Sequence, residues 1–498
     1  MRRTSGGGTE HADVVVVGAG LSGVGAAHRL RTAHPGRSVV VLEAREALGG
    51  TWDLFRYPGV RSDSDMLTLG YPFRPWRSDR ALADGASIRE YVAESADALG
   101  VTPLVRFSRR VVAADFDTAM ARWRLTVTDP RTGVEHRMTC GFLYACTGYY
   151  DYEHPHDPDI DGLADFAGPV VHPQAWPDGL DVRGRRVVVV GSGATAVSLV
   201  PALLRDEHGA AHVTMLQRSP SWVAAVPGTD RTVDRLRRVV PVRAAQRVAR
   251  ARNVVRQVVS YGFARRFPRA AGRLLRGLAA RALGGDTGLV ADHFTPRYDP
   301  WDQRLCWVPD GDLFAAVRSA RADVVTDRIR RVLPDGVELV SGRVLPADVL
   351  VTATGLRLLA LGGLAPRVDG VEVDLSEQLV WNGTMVTGLP NLAFCIGYVN
   401  ASWTLRADLS HRVVCRVLAW ADRRGYDAVV PRDPTGLRRQ PLLGLTSGYV
   451  RRSIDAFPHQ GDRTPWRVRH NYLLDAPATL LARPGRSLVP VTADVDGC

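Results

Sequence analysis

The chain has 498 residues, of which 45% are hydrophobic and 23% charged, with a formal net charge of +12. This length predicts two or three domains, and we expect a soluble protein because no apolar run approaches the roughly eighteen residues that a membrane-spanning helix needs. The polar start of the chain is unlike a signal peptide, and the six cysteines show neither a C-x-x-C pair nor zinc-ligand spacing. We therefore expect a cytoplasmic location, reduced thiols and no metal site.

Two strand-helix-strand patterns predict an α/β fold with two Rossmann-like dinucleotide-binding domains. In each pattern a valine-rich strand is followed by glycines, a helix and a second strand. The first comprises a strand over 14–17, a helix from Ser22 to about Ala33 and a strand over 38–42. The second comprises a strand over 186–190, a helix from Ala194 to about Arg205 and a strand over 212–217.

The first glycine-rich turn has the G-x-G-x-x-G spacing of a dinucleotide site. Gly18, Gly20 and Gly23 follow the first strand, and Glu43 stands at the end of the next one. Such glycines allow the backbone to approach a pyrophosphate at a helix N-terminus, and the carboxylate accepts hydrogen bonds from ribose hydroxyls. Further candidate contacts follow within a few residues: Gly50, Thr51 and Trp52.

The second turn differs from the first at the position that selects the nucleotide. Gly191, Gly193 and Ala196 repeat the glycine-rich spacing, but Arg218 and Ser219 stand where the first unit has an acid. A carboxylate there repels a ribose 2′-phosphate, whereas a guanidinium and a hydroxyl bind it. The pattern therefore predicts NADPH rather than NADH.

Arginines are concentrated between Arg231 and Arg281, where Asp234 is the single acid among Val-, Leu- and Ala-rich helical spacing. A basic amphipathic helix of this kind can lie on a membrane surface. We favour arginines on the solvated face of a helical insertion, because Pro241 and Pro268 interrupt the pattern. Since all the basic residues are arginines, coding bias explains the charge better than nucleic-acid binding does.

The segment between the two units carries the most specific motif. Phe166, Gly168, His172, Trp176 and Pro177 match every fixed position of F-x-G-x-x-x-H-x-x-x-W-[PD], the fingerprint of type I Baeyer-Villiger monooxygenases. The chain resembles the ethionamide-activating branch of this family over nearly its whole length. The segments that carry the further likeness are 49–65, 299–306 and 400–403.

The resemblance implies an enzyme that contains FAD and uses NADPH and O2. In the family, the reduced flavin forms a C4a-peroxyflavin, which as an anion attacks a ketone to give an ester or lactone and as a neutral hydroperoxide oxygenates sulfur or nitrogen. The expected substrate is therefore a ketone, with thioether or thioamide oxygenation as the alternative. The sequence leaves the native substrate and the oligomeric state open.

The resemblance also implies roles for individual residues. Arg304 matches the family's active-site arginine, and Asp63 matches the carboxylate that pairs with it. His172 and Trp176 are expected to belong to the cofactor-binding residues and to couple the two domains as the nicotinamide changes position, although packing roles explain them as well. Many family members have a lysine before the active arginine, where this chain has Gln303, which leaves more of the phosphate contact to Arg218.

The expected domains follow from this assignment. Residues 1–150 form the first part of the FAD-binding domain, 151–181 the linker with the fingerprint, 182–385 the NADPH-binding domain with a helical insertion at about 231–285, and 386–498 the second part of the FAD-binding domain with a C-terminal segment. Two other functions share parts of this pattern. The first is a pyridine-nucleotide disulfide reductase, but that chemistry needs a redox-active dithiol, and this chain has no close cysteine pair. The second is a non-catalytic flavoprotein that binds a membrane surface through the arginine-rich helices.

Overall fold

The computed structural model describes residues 9–491 apart from 231, 233, 234, 236 and 237, so Arg231 and Asp234 lie outside the described residues. The helices of this part of the chain are α1 (Leu21–Ala33), α2 (Thr51–Leu54), α3 (Met66–Leu69), α4 (Gly85–Ala98), α5 (Ala194–Leu203), α6 (Val242–Arg266), α7 (Pro268–Ala282), α8 (Thr287–His293), α9 (Asp312–Arg318), α10 (Trp403–Arg424), α11 (Gly448–Arg451) and α12 (Tyr472–Leu481).

The strands of the same part of the chain are β1 (Glu10–Val17), β2 (Val39–Leu42), β3 (Val105–Arg106), β4 (Arg110–Asp117), β5 (Arg122–Thr128), β6 (Glu135–Ala145), β7 (Val170–Val171), β8 (Arg186–Val190), β9 (His212–Gln217), β10 (Val223–Val226), β11 (Cys306–Pro309), β12 (Ala322–Thr326), β13 (Ile329–Leu333), β14 (Gly336–Leu339), β15 (Val344–Pro346), β16 (Val349–Thr352), β17 (Pro366–Val368), β18 (Val371–Glu372), β19 (Val380–Trp381), β20 (Met385–Val386), β21 (Leu392–Phe394), β22 (Val429–Pro431), β23 (Gln440–Pro441), β24 (His459–Gln460) and β25 (Leu488–Pro490).

The first sheet has the main-path order β18-β17-β4-β5-β6-β1-β2-β3. Strand β1 lies in parallel between β2 and β6, with Val14 opposite Val39 and Val17 opposite Leu42. Val14, Val15 and Val16 of this strand are buried because helices and loops cover both faces of the parallel part. Strands β4, β5 and β6 pair antiparallel and extend the sheet on one side.

The second sheet is parallel throughout and has the order β12-β9-β8-β16-β7. Its centre is the valine run of β8, which is buried under α5. Each sheet therefore carries one strand-turn-helix-strand unit at the position that the glycine motifs indicated. The prediction of an α/β fold with two Rossmann-like dinucleotide-binding domains is confirmed.

Two connections differ from the expected boundaries. The chain returns to the first sheet at β17, which pairs with β4, so the return occurs earlier than the expected position near residue 386. The segment expected to be only a linker contributes β7, which pairs with β16 as an edge strand of the second sheet. Such long-range pairings depend on the whole sheet, and local patterns do not reveal them.

The arginine-rich segment folds into the two helices α6 and α7. Pro241 and Pro268 interrupt the helical pattern as expected, because each stands at the start of a helix. Pro241 is the N-cap residue of α6, and Pro268 is the first residue of α7, where a missing backbone N–H costs nothing. Within the described ranges, no helix is long and apolar enough to cross a bilayer.

Candidate active site

A cleft of about 1370 Å³ runs between the two sheets. The carboxyl ends of β1, β2 and β6 from the first sheet and of β8, β9 and β16 from the second contribute to its walls. Ligands of open α/β sheets bind at this end of parallel strands. The volume exceeds the roughly 300–1,000 Å³ that is usual for one drug-sized ligand, so the cleft has room for more than one.

The glycines of the first motif are required by close backbone contacts. Gly18 has a φ of +100°, and a Cβ atom there would lie 2.7 Å from the carbonyl oxygen of Cys146. At Gly23 a Cβ atom would lie only 1.8 Å from the carbonyl oxygen of Gly18. Gly18 and Gly20 line the cleft, whereas Gly23 lies behind it, where α1 packs against the turn. This arrangement brings bare backbone to the start of α1 and fits a pyrophosphate.

Glu43 lies at the end of β2 on the wall of the same cleft. Its carboxylate accepts hydrogen bonds from the backbone N–H groups of Ala19 at 2.6 Å and Arg45 at 2.9 Å. Burial raises the pKa of Glu43, and these two N–H donors oppose that rise. The side chain is therefore fixed against the turn, with carboxylate lone pairs remaining to accept ribose hydroxyls.

The segment after β2 completes this side of the cleft. Gly50, Thr51 and Trp52 all line it, and the Thr51 hydroxyl lies 3.0 Å from the hydroxyl of Tyr152. The backbone N–H of Gly49 donates to Ala19 in the first turn, which joins the two loops. The candidate residues of the first nucleotide site are thus brought together by the structure.

The second motif repeats the geometry of the first. Gly191 has a φ of +143°, and a Cβ atom there would lie 2.3 Å from the carbonyl oxygen of Ala353. A Cβ atom at Gly193 would meet no atom within 4 Å, so the space beside the start of α5 is open to a ligand. Gly191 and Gly193 line the cleft, while Ala196 is buried inside α5.

Arg218 and Ser219 follow β9, are exposed, and line the cleft. Within the part of the chain that the structure describes, Arg218 makes no ion pair, so its charge is not neutralised by the protein. The preceding Gln217 is buried and donates to the backbone oxygen of His293 at 2.8 Å and to Thr326. Gln217 thus supports the end of the strand, and the next two residues are available to a phosphate.

Arg304 and Asp63 form a two-pronged ion pair on the cleft wall. The Nε and Nη2 groups of Arg304 donate to the two carboxylate oxygens of Asp63 at 2.6 and 2.7 Å. Burial by itself lowers the pKa of Arg304, but the negative charge of Asp63, together with smaller contributions from Tyr149, Tyr449 and Tyr150, raises that pKa well above its ordinary value. The Nη1 group donates to no described residue, so a permanent cation with a spare donor faces the cleft.

Aromatic residues from distant parts of the chain surround this pair. Tyr149 and Tyr150 follow β6, and their rings lie 4.6 Å apart at 61°. Trp403, the first residue of α10, packs on Tyr149 at 5.1 Å and donates from its indole nitrogen to Ser22 at 2.7 Å. Tyr449 also lines the cleft, and burial raises its pKa, so its hydroxyl stays protonated. The arginine is thereby held among apolar rings and neutral hydroxyls.

The loop that carries Asp63 connects the two nucleotide units. A Cβ atom at Gly59 would lie 2.4 Å from the carbonyl oxygen of Ser198 in α5, so the loop touches the second domain directly. Arg61 donates to Asp312 of α9 at 2.5 and 3.2 Å. The contacts at Gly59 and Arg61 thus fix the loop that carries Asp63 against the second domain. They hold the Arg304–Asp63 pair in the cleft between the two glycine-rich turns.

His172 and Trp176 do not line the cleft. The Nδ1 atom of His172 accepts from the backbone N–H of Gln174 at 3.1 Å, and its Nε2 lies 3.2 Å from the carbonyl oxygen of Gly355. Burial lowers the pKa of His172, so the ring is neutral and donates from Nε2. Trp176 packs against the core of the second domain. Both residues anchor the fingerprint segment to the loop after β16 and to this core.

Sequence reasoning missed several residues of the cleft. Tyr149 and Tyr152 lie in the loop after β6, and this loop leaves the sheet at the same edge as Glu43 after β2, since β6 is the parallel neighbour of β1. The ion pairs of Arg45 with Asp53 at 2.7 Å and of Arg61 with Asp312 had no local signal. Their partners become neighbours only through the tertiary fold.

Comparisons with known proteins agree with this geometry. Residues 16–77 match the model of the NAD(P)-binding Rossmann-like domain, and residues 71–234 match the flavin-binding monooxygenase-like model. The chain is 48% identical to the FAD-containing monooxygenase EthA of Mycobacterium tuberculosis, over 94% of this chain and 95% of that protein. It is 44% identical to the probable FAD-binding monooxygenase AlmA of Acinetobacter baylyi, over 95% of each chain.

The chain belongs to the FAD-containing monooxygenases. Solved structures show the same fold for this monooxygenase. The OTEMO complex with FAD and NADP superposes with a TM-score of 0.68 at 21% identity, covering 85% of this chain and 88% of that one. The open structure of cyclohexanone monooxygenase gives a TM-score of 0.69 at 20% identity, covering 85% and 90%. The family resemblance drawn from the fingerprint is confirmed.

Proposed function

We propose that this monooxygenase uses FAD, NADPH and O2 to oxidise a ketone to an ester or lactone. The observation that supports the proposal is the Arg304–Asp63 pair on the cleft wall, which combines a permanent cation with a free Nη1 donor. Relatives of high identity are named FAD-containing monooxygenases, and a solved structure of the same fold holds FAD and NADP. FAD and NADP are inferred from those names, and the residues that line the cleft of this chain fit both cofactors.

FAD is assigned to the first turn and NADPH to the second. The start of α1, Glu43 and the Thr51 hydroxyl suit the pyrophosphate and ribose of FAD, while Gly191, Gly193 and Arg218 suit those of NADPH. FAD bound at the first turn would supply the acceptor for the hydride of NADPH and the group that activates O2. The two turns open on one cleft, so the protein holds both cofactors within reach of one another.

Arg304 supplies the electrostatic part of the reaction. A preorganised cation stabilises negative charge that develops on the reacting oxygen, and it does so more strongly where water is excluded. Asp63 fixes the guanidinium plane, and the aromatic rings around it exclude water. Holding that oxygen as an anion favours attack on a carbonyl carbon, whereas a neutral oxygen reacts with sulfur or nitrogen. The pair therefore favours a ketone over a thioether or thioamide.

We also propose a cytoplasmic location, because the cysteines that the structure describes, Cys140, Cys146, Cys306, Cys395 and Cys415, are free thiols.

The experiment is product analysis under ¹⁸O2 with purified holoenzyme, NADPH and a panel of cyclic and linear ketones. The proposal requires an ester or lactone that carries one labelled oxygen, with NADPH consumed in equal amount. Formation of hydrogen peroxide alone with every ketone would contradict it. Sulfoxide from a thioether in the same assay, without any ester, would assign the enzyme to heteroatom oxygenation, and absence of NADPH oxidation would favour a non-catalytic flavoprotein.

A further inference from the structure

The outer face of α6 is apolar and exposed. Val248, Val255, Val259 and Phe263 are each between 41% and 62% exposed. At roughly 100° per residue, these four positions fall within about a quarter of the helix circumference, so they form one stripe along the helix. Exposed single hydrophobic residues are ordinary, but a contiguous stripe on a helix indicates a binding surface.

The stripe is framed by positive charge. Between residues 238 and 285 the chain has twelve arginines and no aspartate or glutamate. On α6, Arg247 flanks the stripe on one side and Arg256 on the other by the same helical geometry. Both side chains are exposed, and neither has an acidic partner among the described residues. An apolar stripe between unpaired cations is complementary to a surface of anionic headgroups over hydrocarbon.

Helix α7 also combines exposed apolar residues with exposed arginines. Phe267 at the junction and Leu274 within α7 are 52% and 58% exposed. The exposed arginines of this helix are Arg269, Arg273, Arg276 and Arg281. The two helices are joined at a single residue, so their exposed faces belong to one structural unit.

The inner face of α6 is fixed to the first domain by polar contacts. Asn253 and Gln257 donate to the buried carboxylate of Asp65 at 3.0 and 2.6 Å. Arg250 donates to the backbone carbonyl oxygens of Leu67 and Thr68 in α3 and of Gly70 just after it. Because these hydrogen bonds hold the inner face against the first domain, the helix cannot rotate to bury its apolar stripe. The exposure of the stripe is therefore a property of the folded protein.

We propose that the outer face of α6 and α7, here called the arginine-valine face, docks the enzyme on an anionic membrane surface. The helices lie in the plane of the headgroups, the stripe enters the acyl boundary, and the arginines contact lipid phosphates. A second copy of this chain fits less well, because two such faces would bring many unpaired arginines together. A nucleic acid would use the arginines but leave the apolar stripe in water. The proposal does not depend on the reaction assigned above.

The test is co-sedimentation of the holoenzyme with vesicles of phosphatidylglycerol and phosphatidylcholine in equal parts, compared with vesicles of phosphatidylcholine alone. We expect binding to the anionic vesicles at low salt. Raising the ionic strength from about 0.1 M to about 1 M shortens the Debye length from about 10 Å to about 3 Å, so binding weakens steeply.

Two double variants separate the apolar from the electrostatic contribution. Each basic residue near an anionic surface contributes roughly a fivefold factor to partitioning, so R247E/R256E should bind at least about 20-fold more weakly. V259D/F263D should lose binding at any salt concentration, because it introduces charge into the stripe. The matched controls are V371D and R438E, which alter exposed positions outside the insertion and should bind as wild type does. Retained FAD absorbance in every variant verifies folding.

The proposal is overturned if neither kind of vesicle is bound, or if both double variants bind like the controls. It is equally overturned if sedimentation velocity shows self-association that V259D/F263D abolishes while no vesicle binding occurs, because the face would then be an interface between copies. Loss of vesicle binding in the double variants with unchanged NADPH oxidation in solution supports it and leaves the proposed reaction untouched.

Discussion

Replacing Arg218 with alanine tests the assignment of the second nucleotide site. Arg218 is exposed on the cleft wall and forms no ion pair within the described ranges, so its removal leaves no buried charge behind. A charge-assisted hydrogen bond contributes about 1.5–3 kcal/mol, and the exposure of this side chain places the value near the lower end. We therefore expect the KM for NADPH to rise about tenfold, with kcat nearly unchanged.

The assay measures initial rates with NADPH and with NADH for wild type, R218A and the control R185A, which removes an exposed arginine of the same domain that does not line the cleft. The KM for NADH should stay constant in R218A, because NADH has no 2′-phosphate. Equal losses with both nucleotides, or no loss with either, would refute the assignment of Arg218 to the phosphate. Arg328 also lines the cleft, so R218A/R328A shows whether it carries part of the contact.

Three further predictions concern the first motif, a buried histidine and the ion pair. Gly23→Ala places a Cβ atom 1.8 Å from a carbonyl oxygen, so the purified protein should lose its FAD absorbance, whereas Gly36→Ala, with nothing within 4 Å, should keep it. Burial lowers the pKa of His411 to about 3, below its ordinary value near 6.5, so the unfolded chain binds the proton first as the pH falls. Stability should therefore decrease below about pH 6 by up to about 1.4 kcal/mol per pH unit, and urea unfolding should show a weaker dependence in His411→Asn. Asp63→Asn removes the charge beside Arg304 while retaining an acceptor, so ester formation should fall about 10- to 100-fold with FAD retained, and a product ratio equal to that of wild type would show that the pair does not act in the reaction.

The amino-acid sequence alone predicts the two nucleotide-binding units. Their strands are short valine runs that end in glycine, and the turns need glycine because the Gly18 and Gly191 backbones pass a neighbouring carbonyl group closely. Local spacing also indicated Glu43 and Arg218, since each stands at the end of a parallel strand, where cofactors bind. Such features depend on a few consecutive residues, and a sequence displays them directly.

The remainder depends on contacts between distant parts of the chain. No local sequence pattern around Tyr449 indicates that its side chain lines the cleft near Arg304. The pairing of β17 with β4 likewise joins segments that are far apart in the sequence. The Arg304–Asp63 pair was anticipated from the family resemblance and not from spacing.

The measurement that tests the central claim most directly is a competition assay in which wild type and Arg304→Ala receive a ketone and a thioether together with NADPH and O2. We predict that wild type forms ester or lactone as the main product and that the variant loses it while still oxidising NADPH, with sulfoxide or hydrogen peroxide in its place. Equal ester yields from both enzymes would contradict the role of Arg304, and sulfoxide without ester from wild type would contradict the assignment to ketone oxidation.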